Sequence, residues 1–204
     1  MPPRPAPSRG APFDRFADHV GGAAAEAGRS ALGAGVPAEE GLHKRDRRNV
    51  LVADLRRTGR DSWTAALVLD PGNAVLADRD NGTGHVPGMV EVEACVQMAM
   101  GVVGRDLAPG PALHVFTTSE LHAEFASFLF PLPAAIALRA DAVQRPRPEV
   151  LAADLTATIL QSGRAVATMR FTVRAFERGH FDRVERERAR AAARGFRPDL
   201  LEQP

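Results

Sequence analysis

The chain of 204 residues contains one cysteine, one lysine, one tryptophan and no tyrosine. A single thiol, Cys95, builds neither a disulfide framework nor a cysteine-based zinc site. The histidines lack the i, i+4 spacing of metal ligands, so no metal constellation is expected. Without tyrosine, one common general acid is excluded. No stretch reaches the roughly 18 apolar residues of a membrane span, and Met1–Pro7 offers no apolar segment of a secretory signal. Membrane is therefore not an expected partner, and the cytoplasm is the default location. Net charge is +1, too little for a general nucleic-acid binder.

What is present divides the chain in three. Residues 1–40 are rich in Pro, Ala and Gly with few large apolar groups, a composition that predicts a mostly disordered tail, with a short helix around Phe13–His19. Residues 41–176 carry the signals of a folded domain. Asn49–Leu55 and Trp63–Leu69 read as strands joined by the polar turn Thr58–Asp61, followed by a loop over Asp70–Gly84. An apolar helix is expected from Gly88 to Val103. Strand-like runs follow at Leu113–Phe125, Ala134–Gln144, Val150–Gln161 and Arg164–Phe176, the last two joined by a Ser162-Gly163 hairpin turn. Thr168–Arg174 alternates apolar and polar residues, so one face of that strand should be covered. Residues 177–204 interleave Arg with Glu and Ala and read as a solvated helix or fraying tail. This order predicts an α+β fold, an antiparallel sheet wrapped around a long central helix.

The helix carries the chemistry. Glu93 and Gln97 lie one turn apart and share a face. A carboxylate on so apolar a helix is costly unless it is paired or faces a cleft. Apolar neighbours Met89, Val92 and Val96 predict a raised pKa for Glu93, suited to general acid–base work near neutral pH. The plainer alternative is that Glu93 hydrogen-bonds backbone, and that Gln97 ties helix to sheet. Cys95 points away from Glu93 and reads as core, as do Met89, Met98 and Met100, although Met89 also suits an acyl chain. Asp80, in a Gly/Asn-rich loop, is ordinarily a turn former. The basic run His43, Lys44, Arg45, Arg47 and Arg48 protects a strand edge or attracts an anionic partner. His114 and His122 receive no role.

The pattern Pro87-Gly88-x4-Glu93-Ala94-x-x-Gln97 resembles the central-helix motif of β-hydroxyacyl-carrier-protein dehydratases. Leu42-His43-Lys44 with Asn49–Val52, His85-Val86-Pro87-Gly88-Met89, and the span from Phe125 to Phe128 resemble the A-factor biosynthesis hotdog family more closely, over residues 42–176. That resemblance implies a hotdog fold, pairing into a homodimer or a hotdog heterodimer. It also implies an acyl thioester substrate, borne on the phosphopantetheine of an acyl carrier protein or on CoA, with no other cofactor. Glu93 becomes the general acid or base, Gln97 its orienting group and His85 a second acid–base group or a loop support. Gly88, at a helix N-terminus with free N–H groups, becomes an oxyanion donor, with Asp80, Asn81 and Met89 near the substrate. The chain departs from the family at two points: Asp80-Asn81 stands where an Asp-His pair is usual, and Val96 where an arginine is usual. Family members usually hold two hotdog modules, and this chain has room for one. Acyl transfer or β-hydroxyacyl dehydration in butyrolactone or polyketide-type metabolism is the expected activity. A non-catalytic hotdog subunit and a thioesterase stay open as alternatives.

Overall fold

The computed structural model describes residues 42, 44–77, 84–108 and 114–195. The expected tail over 1–40, its short helix, His43, Asp80 and Asn81 lie outside the described residues. Six strands form one antiparallel sheet: β1 (Val52–Gly59), β2 (Ser62–Leu67), β3 (His114–Phe125), β4 (Ala134–Arg147), β5 (Val150–Gln161) and β6 (Arg164–Glu177). Their order across the sheet is β1-β2-β4-β5-β6-β3. Helix α1 (Ala74–Ala77) is a single turn, α2 (Gly88–Val102) lies against the sheet, and α3 (Arg178–Gly195) leaves the end of β6.

Alternation along the strands explains the layering. On β6, Ala167, Met169, Phe171, Val173 and Ala175 are buried, while Arg170 and Arg174 between them are exposed. The inward side chains meet Cys95 and Met98 of α2 in one core with Trp63, Ile136, Leu138 and Ile159. Ser162 and Gly163 take φ of 51° and 76°, the left-handed pair of a tight hairpin turn. On the outer face, Thr156 donates to Asp141 (2.6 Å) and Thr172 to Asp154 (2.7 Å), tying neighbouring strands together.

The structure departs from the sequence reading at several boundaries. Residues Arg47–Asn49 form a 3-10 turn rather than the start of a strand, with Asp46 accepting from the Arg48 N–H at 3.0 Å. The expected loop at 70–84 contains α1. Asn73 caps it, its Oδ1 accepting from Val75 N–H at 3.0 Å, as a short polar side chain does at a helix start. After Val102 the chain widens into a π-turn over Val103–Leu107. There Asp106 accepts from the indole N–H of buried Trp63 at 2.5 Å. This sheet wrapped on a central helix is the hotdog architecture. No described helix is long and apolar enough to cross a membrane.

Candidate active site

Gln97 is fully buried. Its Oε1 accepts from the Leu51 N–H (2.8 Å), and its Nε2 donates to the Asn49 carbonyl (2.9 Å) and to Glu93 Oε1 (2.9 Å). The amide thus spans from the backbone leading into β1 to the neighbouring carboxylate. With Asn49 and Leu51 engaged by a helix side chain, pairing of β1 begins only at Val52. The expected tie from helix to backbone is thus present, and the same amide holds the Glu93 carboxylate. A Gln97→Met variant keeps the volume but leaves a buried N–H and a buried carbonyl unpaired, which costs about 2 kcal/mol. Its urea midpoint is expected to fall at unchanged slope; an unchanged midpoint removes the anchoring role.

Glu93 is not enclosed by apolar side chains as expected. It is 39% exposed, and Lys44 Nζ lies 2.5 Å from its Oε1. Both partners use Oε1, and among the described residues none is bonded to Oε2. The only lysine of the chain is thus the counter-ion of Glu93. Spacing along the helix could not reveal this contact, which joins residues far apart in sequence. Arg48 is likewise engaged, by Asp46 at 2.7 Å.

The face of α2 beside Glu93 is open. Met89, one turn before it, is 69% exposed rather than core. Val96 and Met100, three and seven residues on, are partly buried. With His114, Phe116, Val173 and Arg178 they line a groove of about 240 Å³ between α2 and β3. Met98 and Cys95 are core, as expected. Among the described residues there is no cluster of three His, Cys, Asp or Glu side chains fit to hold a metal ion.

At the N-terminus of α2, Pro87 provides no side-chain cap, and the first backbone N–H groups have no intrahelical acceptor. Gly88 is needed for a close approach: a Cβ there would stand 3.0 Å from the Phe125 ring. The preceding segment is fixed by Val86 N–H donating to the Leu129 carbonyl at 2.7 Å. His85 packs its ring on Phe128, centroids 4.7 Å apart, and is not hydrogen-bonded to Glu93. The geometry thus joins Glu93, Gln97 and Lys44 and sets His85 apart.

The carboxyl that burial does raise on this helix is that of Glu91, pushed up to about 7. Glu91 is 3% exposed, and its Oε2 has no hydrogen-bond partner. Burial, with the Glu91 charge adding to it, also pushes the Cys95 thiol up. The cost of a charge on an apolar helix, invoked for Glu93, applies with more force here. Spacing could have shown it: Glu91 lies four residues before core Cys95 and seven before core Met98.

The family model of the A-factor biosynthesis hotdog domain matches residues 35–177. The chain belongs to the A-factor biosynthesis hotdog family. No protein of curated function matches it. Solved structures similar to it include a thioesterase variant from Pseudomonas aeruginosa, 14% identical over 62% of this chain and 81% of that one, TM-score 0.44. A dehydratase heterocomplex from Xenorhabdus doucetiae is 11% identical over 67% and 86%, TM-score 0.46. A conserved protein from Pseudomonas aeruginosa is 17% identical over 69% and 100%, TM-score 0.47. At such scores these likenesses decide neither reaction nor substrate. Val96 lies in the groove wall, beside Met100 and Phe116.

Proposed function

We propose that this member of the A-factor biosynthesis hotdog family transfers an acyl group from a carrier-borne thioester to a hydroxyl acceptor. The observation that carries the reading is the Lys44–Glu93–Gln97 array on the open face of α2. Paired with an ammonium, Glu93 is a carboxylate, so its first act is to accept a proton rather than to give one. It takes the proton of the acceptor hydroxyl as that oxygen attacks the thioester carbonyl. The free N–H groups at the start of α2 steady the oxyanion, an interaction whose loss typically costs on the order of 10² to 10³ in rate. Collapse expels the thiolate, and Glu93 returns the proton to sulfur. Gln97 holds the carboxylate in place throughout, and Met89, Val96 and Met100 receive the acyl chain. Dehydration of a β-hydroxyacyl group fits less well, since it calls for a second acid–base group and His85 packs against Phe128 instead.

The long outer strand β3, paired on one side only by β6, suits pairing with a second hotdog module. A non-catalytic role in such a pair is the second reading, favoured by the exposure of Glu93 in the single chain.

Intact-mass spectrometry of an acyl-loaded carrier protein, with and without a small polyol acceptor, tests the reading. Transfer predicts loss of the acyl mass that depends on acceptor and appears in an ester product. Loss of water would point to dehydration, acceptor-independent release to hydrolysis, and an unaltered carrier to the non-catalytic subunit.

A further inference from the structure

We propose that α3 is the docking surface for the carrier protein, an acidic partner that presents the acyl group on a phosphopantetheine arm; this rests on the acyl-thioester reading above. The helix spans 18 residues and buries none of them. Among the described residues its ring contacts are at its start, where Phe176 stacks on His180 with centroids 6.2 Å apart and meets Phe181 at 5.7 Å. Beyond that turn, for most of its length of about 27 Å, its side chains are exposed among the described residues.

That surface is polarised. Six arginines against three acids give the helix +3 on a chain of net charge +1. Arg183, Arg186, Arg190 and Arg194 follow one another at spacings of three and four and so share a face, with Glu187 the acid at its border. All four are exposed, and among the described residues Arg178 is the arginine of this helix that forms an ion pair, with Asp182 at 3.7 Å. In the other basic segment, before β1, Lys44 and Arg48 are paired with Glu93 and Asp46, which leaves Arg45 and Arg47 against the four-arginine row of α3.

Position links the stripe to the site. Arg178, the first residue of α3, also lines the groove with Val96 and Met100. A partner lying along α3 therefore has its prosthetic arm at the mouth of the groove that leads along the Glu93 side of α2. The complement of four arginines that have no ion pair among the described residues is an acidic protein surface. A membrane-binding helix would set large apolar residues opposite the arginines, whereas the second half of α3 has only alanines between its charges. A nucleic-acid surface would be broader than one stripe on a near-neutral chain.

The test is fluorescence anisotropy with the full chain and a labelled holo acyl carrier protein of type II fatty-acid synthesis. The quadruple variant Arg183→Glu, Arg186→Glu, Arg190→Glu, Arg194→Glu is expected to weaken binding about tenfold or more, because like charges then face one another. Raising salt from about 50 to 200 mM should weaken the unaltered protein more than the variant. Glu93→Gln should bind as the unaltered protein does, so a failure of the catalytic reading leaves docking measurable. Circular dichroism checks that the variant is folded, and the milder Arg→Gln quadruple variant should fall between. Equal binding by the reversal variant, or no binding of the carrier, overturns the proposal. Tighter binding to phosphatidylglycerol vesicles or to duplex DNA than to the carrier also overturns it.

Discussion

Glu93→Gln is expected to lower acyl transfer by about 10³, within the range that a positioned proton acceptor contributes, while leaving the fold intact. The substitution keeps an oxygen able to accept from Gln97, so the bridge to Asn49 and Leu51 survives. It removes the charge opposite Lys44, but both side chains are about a third exposed. An ion pair so placed is worth about 1 kcal/mol or less to stability. Melting temperature should therefore move by no more than about 4 °C while turnover collapses. Steady-state kinetics on the acyl-loaded carrier, read beside a thermal melt, separate the two effects. A Lys44→Met variant tests the counter-ion: turnover should fall by about tenfold and recover in Lys44→Arg, which restores the positive charge. If Glu93→Gln turns over at the unaltered rate, Glu93 is not the base and the chain is better read as a partner subunit. A large drop in melting temperature would instead make the carboxylate a structural element of the Gln97 anchor.

Much of the fold was legible because its signals are local. Alternation in Thr168–Arg174, the Ser162-Gly163 turn and the largely apolar stretch after Pro87 each report on neighbours in sequence, and the structure has them as read. The start of β1 was misplaced because its backbone is committed to a side chain nearly fifty residues away, which no window over Asn49–Leu55 reveals. Helix α1, at four residues, is too short to show a period. The site divides in the same way. Glu93 and Gln97 share a helix face by simple spacing, so their contact could be foreseen. Lys44 reaches Glu93 across the fold, and its role in the basic run was invisible until the two were brought together. Met89 looked like core because its helix is apolar almost all round, so periodicity gave no direction for the outer face. The row of exposed Met89 with half-buried Val96 and Met100 is visible only once the position of the sheet is known.

Stability is expected to fall as pH rises from about 4.5 to about 7, because Glu91 must then ionise inside the protein. The sign follows from the two protonation states. In the unfolded chain the carboxyl has its ordinary value of 4.5, and in the folded chain burial lifts it to about 7. Between those values the folded form binds the extra proton, so ∂ΔG/∂pH of unfolding is negative. Below about 4.5 both forms are protonated and nothing is lost; above about 7 both are ionised and the loss is complete. At 1.36 kcal/mol per unit, the full loss is on the order of 3 kcal/mol. Glu91→Gln removes the charge and retains the shape, so its urea-derived stability should lack this slope. It should match the unaltered protein near pH 4.5 and exceed it by on the order of 3 kcal/mol at pH 8, a rise of roughly 6–12 °C in melting temperature for a chain of this size. Parallel pH profiles for the two proteins would mean that Glu91 finds a partner in solution. The unpartnered Oε2 makes the distinction sharp: a carboxylate oxygen without a hydrogen bond, beside a core that holds Cys95 and Met98, has no compensation for its lost hydration. An acid that weakens its own fold at neutral pH also separates the two carboxylates of α2 by role. Glu93, with a counter-ion and an open side, is equipped to exchange protons with a ligand, whereas Glu91, two residues earlier and turned toward the sheet, reports on the packing behind it.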